Sequence, residues 1–93
     1  MVSLDSEALL VSGKTRVRKL AGAVAGFLRE KGEVRLRAIG SAAVMRAVAA
    51  SAVARGFLAS EGREVVAVPV FFPLENSDGS RRSGIELRLV ARS

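Results

Sequence analysis

A chain of 93 residues has room for one domain and one core, and so small a domain buries little surface, which makes oligomerisation advantageous. Its 49% hydrophobic and 26% charged residues are those of a folded globular protein, and the lack of cysteine and histidine removes disulfides, thiolates, imidazole bases and the usual transition-metal ligands. The formal charge of +6, with twelve arginines and three lysines, suits a polyanionic partner because the planar guanidinium matches phosphate geometry.

In chain order, Glu7 to Ser12 is a short apolar run that stops at Gly13, as a buried first strand does. Val17, Leu20, Ala21, Val24 and Leu28 then recur at helical spacing, and Gly32 ends this first helix. From Glu33 to Ile39 the residues alternate, with Val34, Leu36 and Ala38 on one face and Arg35 and Arg37 on the other, which predicts a half-buried strand. Gly40 turns the chain and Ser41 is placed to cap a second helix over 42–59, whose charges are Arg46 and Arg55. A helix apolar nearly all round needs cover on more than one face, which a second subunit supplies. Val65 to Phe72 is β-branched and aromatic enough for a third strand, and Gly84 to Ala91 alternates as a fourth. Glu75 to Ser83 is the hairpin loop between them, turning around Asp78-Gly79.

The order β-α-β-α-β-β predicts an α/β two-layer sandwich of one domain spanning 1–93. Right-handed crossovers make the first three strands parallel, and the hairpin makes the fourth antiparallel to the third. Pro69 cannot donate to a ladder, so strand 3 belongs at an edge and the mixed four-stranded sheet takes the order 1-2-4-3, with two helices on one face. Phe27 and Phe57 read as core, and Phe71 and Phe72 point to opposite faces. Gly22 and Gly26 inside helix 1 imply close packing there. No apolar stretch reaches the roughly 20 residues of a spanning helix without a charge. Met1 to Glu7 carries acids where a secretory leader has a basic region, so a cytoplasmic protein is expected.

Lys14, Arg16, Arg18 and Lys19 form the sharpest basic cluster, set between a strand and a helix start where backbone amides favour phosphate. Gly13-Lys14-Thr15 resembles the end of a Walker A loop, but Ala8 stands where its first glycine belongs. Arg81 and Arg82 lie near the hairpin tip, with Glu75 and Asp78 as nearby partners. Arg37 to Ser41, followed by Arg46, forms a strand, glycine turn and helix start that offers a seat for a small anion. The open sheet face, with Arg35, Arg37, Arg88 and Arg92 against Glu33 and Glu86, reads as a solvated mixed-charge surface. No aromatic lies in either basic loop, which favours contacts to the phosphate backbone over base stacking. Serine nucleophiles lack an activating base here, so no catalytic residue, cofactor or metal is expected.

The blocks Leu20 to Gly32, Arg37 to Gly40, Met45 to Val48 and Ala52 to Phe57 closely resemble successive blocks of the stage V sporulation protein S family. That family is similar in fold to the Alba-like nucleic-acid-binding proteins. The resemblance implies a homodimer, or a tetramer formed by two dimers, that grips DNA or RNA with the loop after strand 1, the start of helix 2 and the hairpin arms. By position these are Lys14, Arg16, Arg18 and Lys19, then Ser41 and Arg46, then Arg81 and Arg82. The competing reading is a protein-interaction or assembly module without direct nucleic-acid binding.

Overall fold

The computed structural model describes residues 8–93; Met1 to Glu7, with the first residue of the expected strand 1, lies outside them. The elements are β1 (Ala8–Val11), α1 (Val17–Lys31), β2 (Glu33–Ala38), α2 (Ser41–Ala59), β3 (Glu64–Glu75) and β4 (Arg81–Arg92). They form one sheet of order β1-β2-β4-β3, with β1 parallel to β2 and β4 antiparallel to both its neighbours. Topology and edge placement of Pro69 are those the sequence predicts. The hairpin strands are longer than predicted and the connecting loop shrinks to 76–80, so Arg81 and Arg82 belong to β4 itself.

The core lies between the helices and one sheet face. Leu9 and Val11, Val34, Leu36 and Ala38, and Leu87 and Leu89 meet Leu20, Val24 and Leu28 of α1 and Ala43, Ala47, Ala50, Ala54 and Leu58 of α2. Each fully buried leucine is worth about 1.5–3 kcal/mol of transfer free energy, and the alanine stripe of α2 lets its backbone lie close. Helix α1 ends at Gly32, whose left-handed φ of 79° positions its N–H to donate to Leu28 O at 3.0 Å. Arg29 and Lys31 in the last turn suit the helix dipole. Helix α2 has the length and apolarity of a membrane-crossing helix, but its alanine face is part of this core.

Three expectations fail. Phe57 is 43% exposed in the last turn of α2, at the flank of the buried alanine stripe, whereas Phe27 packs against the core. A Cβ at Gly22 or Gly26 meets nothing within 4 Å, so those glycines face outward. Close approach occurs instead at Gly84, where a Cβ would strike the Phe72 ring and come within 3.2 Å of Ala38 O, and at Gly13, against Ala42. Ser41 is the first residue of α2 and caps nothing: Gly40, at φ 91°, holds the cap position without a side-chain hydrogen bond.

β3 is the outer edge and carries Pro69 and Pro73, with pairing to β4 continuing through both. The β3–β4 hairpin runs beyond the Ala38–Ile85 pair, where β2 ends, by four more residue pairs. At about 3.4 Å per residue that is an arm of roughly 14 Å before the turn. It accounts for the long axis of a molecule measuring 47 × 23 × 20 Å.

Candidate nucleic-acid interface

Because β1 and β2 are parallel and β4 runs against them, the β1–α1 loop, the β2–α2 turn and the hairpin arm all leave the same end of the sheet. The loop is shaped by its own polar groups. Ser12 N donates to Thr15 Oγ1 at 2.8 Å, Lys14 N to Ser12 Oγ at 3.1 Å, and Thr15 N to Ser12 O at 3.2 Å. With these amides satisfied, the cationic side chains of Lys14 and Arg16 extend into solvent.

Arg46 ties this loop to α2. Its Nε donates to Gly13 O at 2.6 Å and its NH1 to Thr15 O at 3.1 Å. A residue read from sequence as an anion contact is therefore first a clamp, and the fork geometry of guanidinium is what lets one side chain hold two carbonyls. Arg16, Arg18, Lys19 and Arg46 surround Val17 in a cleft of about 420 Å³. Beside it, Val17 and Arg46 also wall a shallow hollow of about 370 Å³ floored by Ala42, Met45 and Ala49. Helix α1 begins at this cleft with Arg16 in the cap position, no side-chain cap and no acid in its first turn. Its first amides thus lack intrahelical acceptors and face a ring of cations, an arrangement that costs the helix stability and favours an incoming anion.

Ser41 sits exposed at the start of α2, next to the loop through the Gly13–Ala42 contact. Arg81 and Arg82 stand apart on the arm, opposite Glu75 and Leu74. Neither acid near the tip neutralises them. Asp78 accepts from Ser80 N at 2.9 Å and Ser80 Oγ at 2.6 Å, which hold its carboxyl below its usual range, and Glu75 forms no ion pair among the described residues.

Charge is unevenly distributed along the sheet axis. Among the described residues, the loop end carries seven cations (Lys14, Arg16, Arg18, Lys19, Arg46, Arg81 and Arg82) and two acids, Glu75 and Asp78. The far end carries, among the described residues, five cations and four acids, and there Arg29 meets Glu61 at 2.7 Å and Arg55 meets Glu64 at 2.8 Å. Those hydrogen bonds raise the arginine pKa values and lower those of the glutamates. Lys14, Arg16, Arg18, Lys19, Arg81 and Arg82 have no ion-pair partner among the described residues.

The open sheet face differs from the solvated surface the sequence predicts. Glu86 is only 3% exposed, ringed by Arg37 at 2.8 Å, Arg88 at 2.6 Å and Arg35 at 3.7 Å. Burial opposes its ionisation, but hydrogen bonds from Arg88 and Arg37 and the charges of Arg35 and Arg37 outweigh that and lower its pKa. The signal was present in the register: Glu86 lies opposite Arg37, and Arg88 opposite Arg35.

Among solved structures, Alba from Thermoplasma volcanium superposes with a TM-score of 0.62 at 21% identity, covering 89% of this chain and 98% of that one. The likeness establishes the Alba-like fold. The profile of the stage V sporulation protein S (SpoVS) family matches residues 7–92, nearly the whole chain. The protein therefore belongs to the stage V sporulation protein S family, built on an Alba-like fold.

Proposed function

We propose that this protein binds nucleic acid, DNA or RNA, as a regulatory or architectural dimer that contacts the phosphate backbone through its basic loop end. The observation that carries this is the segregation of charge: cations without acid partners among the described residues gather where three segments leave one end of the sheet. Arg16, Arg18 and Lys19 supply charge around the open amides of α1, Lys14 and Ser41 flank them, and Arg46 fixes the loop. Arg81 and Arg82 extend the same potential along the arm. The role is binding, with no catalytic step, metal or cofactor.

Dimerisation fits the outer face of α2. Met45, Val48, Ala52 and Gly56 are exposed at helical spacing, so a helix that is apolar all round is covered by its own chain on one side only. That stripe is also what favours the second reading, an assembly module. Fluorescence anisotropy with labelled duplex DNA and RNA at several salt concentrations separates the two. Backbone binding weakens steeply with salt, whereas no binding at low salt leaves the assembly module.

A further inference from the structure

The open sheet face carries groups that the basic loop end does not use. Arg37 and Arg88 each spend Nε on Glu86, and their terminal amino groups make no hydrogen bond among the described residues. The Arg37 guanidinium also rests over the Phe72 ring, 5.2 Å from its centroid. These are two guanidinium groups on one carboxylate, so among the described residues a surplus of positive charge is fixed in place. Restraint before binding lowers the entropy cost of gripping an anion, and a guanidinium fork suits a carboxylate.

The flanks of this cluster are aliphatic. Leu10, beside Arg37 on β1, is 56% exposed; Val68, opposite Arg88 on β3, is 52% exposed; Val66 and Val90 face each other at 37% and 38%. A second copy of this chain does not suit the face, since it would set like charge against like. Nucleic acid matches the charge but not the flanks, because the face's one aromatic ring, Phe72, is covered by Arg37 and only aliphatic side chains are left for bases.

We infer that the open sheet face is a docking surface for an acidic segment of a partner protein in which carboxylates alternate with aliphatic side chains. The carboxylates meet Arg37 and Arg88, and the aliphatic groups cover Leu10, Val66 and Val68. This surface is separate from the loop end, and its test reads separately.

The full chain, labelled with nitrogen-15, is titrated with a synthetic peptide alternating aspartate and leucine. A lysine–leucine peptide and an oligothymidylate form the other arms. The expected result is saturable amide shifts at Arg35, Arg37, Val68 and Arg88 with the acidic peptide alone. Val68→Glu, which sets a carboxylate at an exposed position directly opposite Arg88, should weaken the acidic peptide at least about tenfold, equivalent to 1.4 kcal/mol. The same variant should keep its duplex affinity. Arg37→Ala should weaken the peptide likewise, with an unchanged spectrum elsewhere showing that it is folded. Absence of saturable shifts on this face at millimolar acidic peptide overturns the inference. So does undiminished binding by Val68→Glu, or an oligothymidylate that shifts these same amides.

Discussion

Replacing Arg16 and Arg18 together by alanine removes two cations from the cleft at the start of α1 without touching the core, since both side chains are exposed. Six cations at this end have no acid partner among the described residues: Lys14, Arg16, Arg18, Lys19, Arg81 and Arg82. If each neutralises one phosphate, the log–log salt slope per subunit on duplex DNA is about −5.4, a loss of about 2,000-fold in affinity between 50 and 200 mM salt. The double variant should have a slope of about −3.6 and lose only about 150-fold over the same range; engagement of both subunits doubles each slope. Arg81→Ala with Arg82→Ala should match it. The control is Arg29→Ala with Arg55→Ala, which removes the same net charge from the far end, where both arginines already face glutamates. Anisotropy titrations on two unrelated duplexes measure all three, and thermal melts confirm that each variant is folded. If the control flattens the slope as much as the loop variants do, bulk charge explains the binding and the assignment to the loop end is wrong.

Gly84→Ala places a methyl group against the Phe72 ring and near Ala38 O, so it should cost about 1–3 kcal/mol in urea unfolding, as overpacking does, with an unchanged m-value. Glu86 has a depressed folded pKa, so its contribution is present above the ordinary carboxyl value of about 4.3 and is lost as pH falls through the folded value. Glu86→Gln should accordingly lower stability at neutral pH and flatten the decline below about pH 4.3; an unaltered acid limb would show that the cluster does not stabilise the fold. Val48→Asp with Ala52→Asp charges the exposed stripe of α2 and should give a folded monomer by sedimentation, whereas an unchanged assembly state places the subunit contact elsewhere.

The topology was legible because each element carries a local cause: alternation in β2, helical spacing in α1, a glycine at each turn, and Pro69 as an edge marker. Convergence of Lys14 to Lys19 with Ser41 and Arg46 followed from that topology. What stayed hidden depends on distances between elements. Arg46 reads as a free cation until the Gly13 and Thr15 carbonyls are found within its reach. Glu86 reads as solvated until three arginines from two strands close over it. Glycines misled in the same way: composition drew attention to Gly22 and Gly26, whereas the tight position is Gly84, set by a ring across the hairpin.

The placement of proline in β3 has a consequence for how the molecule behaves in a crowded solution. A twelve-residue strand at the rim of a sheet, prolonged into a projecting arm, is a template on which other chains can add strands and aggregate. Pro69 and Pro73 are four residues apart, so their missing N–H groups fall on the same side of the strand, and because pairing with β4 continues through both, that side is the free one. An incoming strand would lose two donors along the stretch where the arm leaves the body. The chain can thus extend a long, valine-rich ribbon and still remain dispersed.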